Sequence, residues 1–254
     1  MTAKVSSVHF CPIKSLSFQS AETLIIKKDV GIEEDRIFAF SRGLNELDAK
    51  RVEKDPRKRE LIHFLTLKNS PDLNKYVFKY ENEAVTIVKD NKEIISYPIE
   101  EKENLSKKLL ELEPDLPGPS YLLKNELFPF YDTTNSSSVS NTISLINLNS
   151  IKDFNEKINK DIEFERFRAN IYIKGLKFFE ERNWINKIIS INNTDFKVLK
   201  NIPRCSATNL KINSNEADIN LPNMLKKTYG HIDMGIYLAP LKNGQVKVGD
   251  GITF

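Results

Sequence analysis

The chain has 254 residues, 40% of them hydrophobic and 29% charged, with 9 Gly and 11 Pro, which excludes collagen-like, low-complexity and largely disordered chains. Its 38 Lys and Arg against 35 Asp and Glu leave a formal charge of +3, too small to drive sequence-independent binding to nucleic acid or a membrane surface. No apolar run reaches the ~18 residues of a membrane span, the first residues lack a secretory leader pattern, and the two cysteines make neither a disulfide framework nor an iron–sulfur ligand set, so the cytoplasm is the expected compartment.

The first half reads as short strands. Val5, Val8 and Phe10 precede Pro12, residues 24–26 are β-branched and apolar, and 37–40 and 61–67 are apolar. A meander follows at 76–80, 84–88 and 94–97, with Glu81-Asn82-Glu83 and Asp90-Asn91 as its turns and Pro98 as its end. Leu105, Leu109 and Leu112 recur at helical spacing up to Pro114, which predicts a surface helix, and 114–120 reads as a connector. Residues 132–141, rich in Ser, Thr and Asn, predict a second loop. A buried strand is expected at 143–146, then a helix capped by Asn149 or Ser150 with Ile151, Phe154 and Ile158 on one face. Strands return at 171–173, 188–191, 196–199, 236–238 and 246–248, and Asn192-Asn193 and Asn243-Gly244 suit tight hairpins. Residues 221–229 predict a helix, with Pro222 in its first turn and Gly230 ending it. The sum is a mixed α/β, mainly β chain, with a closed or partly closed barrel and a few surface helices.

A glycine-rich phosphate loop, a nucleophile-elbow serine and a His-Glu-x-x-His helix are all missing from the sequence. The scattered His9, His63 and His231 read as structural, and the adjacent Glu180 and Glu181 as surface or salt-bridge groups. Three polar patches stand at strand ends: Cys11-Pro12-Ile13-Lys14-Ser15, Asp35-Arg36, and 166–171 together with Pro203-Arg204-Cys205 and Thr208. Lys14, Ser15, Arg36 and Arg168 hold the donors and charge that a phosphate or another dianion wants. Cys205 follows an arginine, and a nearby cation favours the thiolate, which is both the nucleophile and the metal ligand. From residues alone the plainer alternatives stay open: a small buried cysteine, and arginines in solvated ion pairs.

The succession of Pro12-Ile13-Lys14-Ser15, Gly31 to Arg36, Arg166 to Ile171, Trp184, Pro203 to Thr208, Leu221 to Leu225 and Gly249-Asp250 resembles the MOSC family, the molybdenum-cofactor sulfurase C-terminal domain proteins. It looks closest to the branch with an N-terminal MOSC β-barrel domain that includes the mitochondrial amidoxime-reducing component and its bacterial relatives. The resemblance implies an N-terminal MOSC β-barrel-like domain over 1–120 and a MOSC domain over 121–254, with a ligand cleft between them. It implies a molybdenum cofactor (molybdopterin) with Cys205 as metal ligand and catalytic residue, Lys14, Ser15 and Arg36 at the cofactor's phosphate, Arg168 and Asn170 along the pterin, and Arg204 and Thr208 completing the binding set.

The implied activity is that of an oxidoreductase acting on N-hydroxylated or other N-oxygenated small molecules. Two cysteines cannot hold a plant-type cluster, so electrons would come from a separate donor protein, ferredoxin-like or a cytochrome/reductase. A pyridoxal phosphate association comes with the family name alone. The alternatives within the resemblance are a persulfide sulfur carrier using Cys205 and a non-catalytic cofactor carrier. Ala169 where many relatives have proline, Arg182 where an aspartate is common, Lys211 for an acidic residue and Pro203 for a hydroxyl or thiol all bear on hydrogen bonding around the cofactor and on substrate preference.

Overall fold

A computed structural model describes residues 3–131 and 142–254. The strands β1 (Lys4–Phe10), β2 (Gln19–Ala21), β3 (Thr23–Lys27), β4 (Gly31–Ile32) and β5 (Phe38–Phe40) lead into helix α1 (Glu46–Lys54). The meander β6 (Val77–Glu81), β7 (Ala84–Lys89) and β8 (Lys92–Pro98) is followed by α2 (Lys102–Leu112) and β9 (Leu122–Lys124). Next come β10 (Ile143–Asn147), α3 (Leu148–Ile158), β11 (Ile171–Lys174), β12 (Ile188–Ile191) and β13 (Thr194–Pro203). Helix α4 (Leu221–Tyr229) and strands β14 (Asp233–Pro240), β15 (Gly244–Lys247) and β16 (Ile252–Thr253) complete the order.

The main sheet has the order β16-β12-β13-β14-β10-β11-β1-β2 and curls on itself. Its first strand reaches the segment before its last through the Lys4–Gly251 bridge, and the Val5 N–H donates to Asp250 O at 2.9 Å. Closure of this kind leaves few unpaired sheet edges. β10 is buried along its whole length because it lies between β14 and β11. Its pairing with β11 is parallel, which requires a crossover, and α3 supplies it by turning Ile151 and Phe154 onto the barrel. Within β14, Gly235 (φ 84°) lies against β10, where a Cβ would collide with the Leu145 carbonyl. The β6-β7-β8 sheet packs Phe78, Val85 and Ile87 against Leu105 and Leu109 of α2 and forms a separate core.

Strands from the first 32 residues belong to both halves' hydrogen bonding. β1 pairs with β11, and β3 pairs with β15. Backbone pairing therefore crosses the 120/121 division that the sequence suggests.

Several expectations are corrected. Residues 61–67 are not a strand. Leu61–His63 is a short 3-10 turn in which the Glu60 N–H donates to His63 Nδ1 at 3.1 Å, and Asn69 bonds the Thr66 N–H and the Phe64 carbonyl, so side chains compete successfully with a ladder. Asn243-Gly244 does not turn β15 back onto β14, because β15 pairs with β3. The α3 cap is Asn147, whose side chain accepts the Asn149 N–H at 3.1 Å, rather than Asn149 or Ser150. β13 runs to Pro203, beyond the expected 196–199. Glu181 is not a surface group: it is fully buried, accepts hydrogen bonds from Asn147 Nδ2 (3.3 Å) and Ser150 Oγ (3.2 Å), and burial pushes its carboxyl up to about 7. The loop expected at 132–141 lies outside the described residues. No helix among the described residues is long and apolar enough to cross a membrane.

Candidate functional site

The loop after β1 runs beside the approach to β5. The Arg36 N–H donates to Cys11 O (2.6 Å), Phe38 N–H to Pro12 O (3.0 Å) and Lys14 N–H to Phe38 O (2.7 Å). This ladder puts Lys14 and Ser15 next to Arg36 even though about twenty residues of chain separate them. Ser15 takes a positive φ of 64° to turn the loop, and its Oγ accepts the Leu67 N–H at 3.2 Å. Lys14 is buried, and its Nζ donates to the carbonyls of Phe130 (3.1 Å) and Tyr131 (3.0 Å).

Asp35 is fully buried behind this loop. It accepts the Cys11 N–H (2.7 Å) and Asn170 Nδ2 (3.3 Å) and forms an ion pair with Arg36. Burial pushes the Asp35 carboxyl up, while Arg36 and the two hydrogen bonds oppose it. Burial alone would lower Arg36, but the neighbouring Asp35 carboxylate holds it above its ordinary value, so Arg36 stays charged. Cys11 is buried too. Its Sγ donates to Ile13 O at 3.0 Å, and desolvation raises the thiol, which suits a structural role.

The opposite wall comes from the barrel. The 3-10 turn Phe164–Phe167 ends at Arg168 in the left-handed region (φ 54°), which swings Arg168 towards the loop after β1, where Nη2 donates to Leu16 O at 2.5 Å. The Arg168 and Arg36 guanidinium groups lie 5.0 and 5.4 Å from the centre of the same Phe18 ring, a shared cation–π platform. Burial lowers Arg168; the sulfur of Cys11 opposes this and the charge of Arg36 reinforces it.

β13 delivers Arg204 and Cys205 to the rim. Arg204 points inward: Nε donates to Met234 O (2.9 Å) and Nη1 to Phe167 O (2.7 Å), with Nη2 also on Met234 O. Its guanidinium thus fastens the end of β13 to β14 and to the Phe164–Phe167 turn. Cys205 is left exposed at the start of the turn Ser206–Asn209, where Thr208 Oγ1 donates to Cys205 O at 2.8 Å. Buried Arg166 clamps the far end of that turn through Nε to Thr208 O (3.2 Å) and Nη2 to Asn209 O (2.5 Å), and it pairs with Asp218.

These elements enclose a cleft of about 520 Å³, within the range of small-molecule sites. Lys14, Ser15, Arg36, Arg168, Arg204, Cys205 and Thr208 all line it. Asn170 does not. Its Oδ1 accepts Ser144 Oγ (2.8 Å) and its Nδ2 reaches His9 O (3.2 Å) and Asp35, so it supports Arg36 from behind. Sequence reasoning missed Lys68 and Asn69 on the cleft wall because 61–67 read as a strand, and it missed Phe18 because an isolated aromatic carries no pattern. Among the described residues no group of three or more His, Cys, Asp or Glu side chains stands ready to hold a metal by itself.

Residues 132–253 match the MOSC domain model. They are a MOSC domain. The chain is 28% identical over 142 residues to mitochondrial amidoxime reducing component 2 of Bos taurus, covering 50% of this chain and 42% of that protein. It is 29% identical over 115 residues to the Homo sapiens protein of the same name, covering 41% and 34%. The chain thus matches less than half the length of these relatives. Among solved structures, the YUAD protein of Bacillus subtilis superposes with a TM-score of 0.46 at 13% identity, covering 99% of this chain and 94% of that one. YiiM of Geobacillus stearothermophilus gives a TM-score of 0.35 at 19% identity, covering 44% and 52%. The MOSC domain supplies β10 to β16, and with them the Arg168 and Cys205 side of the cleft.

Proposed function

We propose that the cleft binds a molybdenum cofactor and that the protein is a reductase of N-hydroxylated or other N-oxygenated compounds, supplied with electrons by a separate protein. The observation that carries this reading is an exposed thiol, Cys205, in a cleft whose described lining includes five basic side chains and no carboxylate. The donor set fits the group. A single thiolate with no supporting metal-ligand cluster suits a metal that arrives with ligands of its own, and the concentration of cations suits a phosphate dianion. The MOSC domain and the amidoxime-reducing relatives support the same assignment.

In this reading Cys205 Sγ is the protein's ligand to the metal. Ser15 and Arg36 hold the phosphate, with Lys14 contributing charge from beneath, and Arg168 faces the pterin. Asn170 acts through Asp35 to fix Arg36. Arg204, its N–H groups committed to carbonyls, keeps Cys205 at the rim, and Thr208 and Arg166 hold the turn that follows. When bound, the cofactor supplies two-electron oxygen removal at molybdenum. The overall reaction takes an N-hydroxylated base, two electrons and two protons to the reduced base and water. The units 1–120 and 121–254 build the cleft jointly, and a cytoplasmic setting and an external electron donor belong to the same proposal.

The deciding experiment is the molybdenum and pterin content of protein purified from a host that makes the cofactor, for wild type, Cys205→Ala and Arg36→Ala. Near-stoichiometric molybdenum in the wild type and a large loss in both variants is expected. A folded wild type without molybdenum or pterin overturns the reading. The exposed, unbonded Cys205 also suits a persulfide carrier, and in that outcome trapping of a persulfide on Cys205 would favour it.

A further inference from the structure

The cleft has a further cationic position apart from the Lys14, Ser15 and Arg36 cluster proposed for the phosphate. Lys68 lines the wall facing the MOSC domain, on the turn after Leu61–His63. It is exposed, and among the described residues it has no carboxylate or hydrogen-bond partner. The other four cations differ. Lys14 donates to the carbonyls of Phe130 and Tyr131, Arg36 is paired with Asp35, Arg168 donates to Leu16 O, and Arg204 donates to Met234 O and Phe167 O.

Its backbone is nevertheless fixed. Asn69 Oδ1 accepts the Thr66 N–H at 2.8 Å, Asn69 Nδ2 donates to Phe64 O at 3.0 Å, and the Leu67 N–H is anchored on Ser15 Oγ. A cation mounted on a rigid turn, with its head free, has given up little freedom to meet an anion. Next to it, Leu61 and Ile62 give the same wall an apolar face, Ile62 being 63% exposed. The described lining offers no acidic side chain to attract a second positive charge.

We propose that Lys68 selects the substrate, and that the preferred substrates of the reductase are N-hydroxylated compounds carrying a carboxylate on an apolar body: the carboxylate pairs with Lys68, the body rests on Leu61 and Ile62, and the N-hydroxyl end faces Cys205. This rests on the proposed reductase reading and narrows it to a substrate class. A cationic N-hydroxylated base is disfavoured by the same charges.

The test compares 4-carboxybenzamidoxime with unsubstituted benzamidoxime on cofactor-loaded wild type, Lys68→Met and Lys68→Glu. The wild type should favour the carboxylate compound in kcat/KM by about fivefold, the scale of one solvent-accessible ion pair. Lys68→Met should abolish that ratio and Lys68→Glu should invert it. Salt at ~1 M, where the Debye length is ~3 Å, should shrink the wild-type ratio. Titration calorimetry of the two compounds gives the same comparison without turnover. If neither compound is reduced but the binding ratio follows Lys68, the reductase reading fails and the selectivity stands. A ratio equal in all three proteins overturns the inference. So does a loss of molybdenum content in Lys68→Met, which would assign Lys68 to the cofactor instead.

Discussion

Two hollows of ligand size, one beside α1 and α2 and one at the Cys205 cleft, differ in how their charges balance. The smaller, about 310 Å³, lies between α1, α2 and β9, and its lining sets three glutamates against three lysines, with Lys50 paired to Glu46 at 2.5 Å and Lys102 to Glu53 at 2.8 Å. The larger, at about 520 Å³, gathers Lys14, Arg36, Lys68, Arg168 and Arg204, with no acid among its described lining residues and Asp35 buried behind, paired with Arg36. Concavity therefore does not distinguish them. Gathering like charges at partly buried positions costs free energy, and a fold that sustains the cost has a use for the resulting field.

The contrast is broken most directly at Asp35, the buried acid paired with Arg36 behind the larger hollow. Asp35→Ala leaves Arg36 without its partner and should destabilise the protein by about 3 kcal/mol or more in chemical denaturation, the cost of breaking a buried pair. Stability within about 0.5 kcal/mol of wild type would mean that solvent already balances the cations.

Glu181 tests the burial of a charge away from both of these hollows. The folded protein keeps its proton up to about 7 and the unfolded chain releases it near 4.5, so in that window the folded state binds more protons and stability falls as pH rises. Glu181→Gln stays neutral throughout. It should flatten the profile and exceed wild type at pH 8 by up to about 3 kcal/mol, the free energy equivalent to that difference in proton affinity between the folded and unfolded states. Urea midpoints at pH 5 and pH 8 decide it, and equal slopes in both proteins would refute the burial argument.

At the balanced hollow, Glu53→Gln weakens the contact with Lys102 Nζ and the acceptor for the Lys124 N–H (2.7 Å). A loss of about 1–2 kcal/mol is expected, with molybdenum content unchanged. A fall in metal content would show that the two hollows are coupled. The smallest effect belongs to Thr208→Val, which removes the hydroxyl bond to Cys205 O and should cost about 1 kcal/mol or less, read as a small shift of the thermal midpoint.

Strand positions were legible because apolar β-branched runs mark them: Val5 to Phe10, 143–146 and 171–173 all became strands. Their partners were not legible, since β3 and β15 meet across most of the chain and neither sequence names the other. Helix α1 was missed because Glu46–Lys54 buries only Ala49 and Val52, although Asn45 caps it. The strand-end clusters around Lys14, Arg36, Arg168 and Cys205 could be found as donor-rich patches. That Arg204 turns its guanidinium to main-chain carbonyls, and that Lys68 stands on the facing wall, depends on tertiary placement with no local signature.

The pairing of β3 with β15 also sets a timetable. In the growing chain, Ile26 emerges more than two hundred residues before Gly244, its register partner, a gap of roughly ten to forty seconds at ~5–20 residues per second. Throughout that interval one edge of β3 has no mate, and the Lys14–Arg36 loop is made well before Arg168 and Cys205. A ligand gripped from both sides of the cleft is thus a passenger that can board only after translation has passed Arg168 and Cys205.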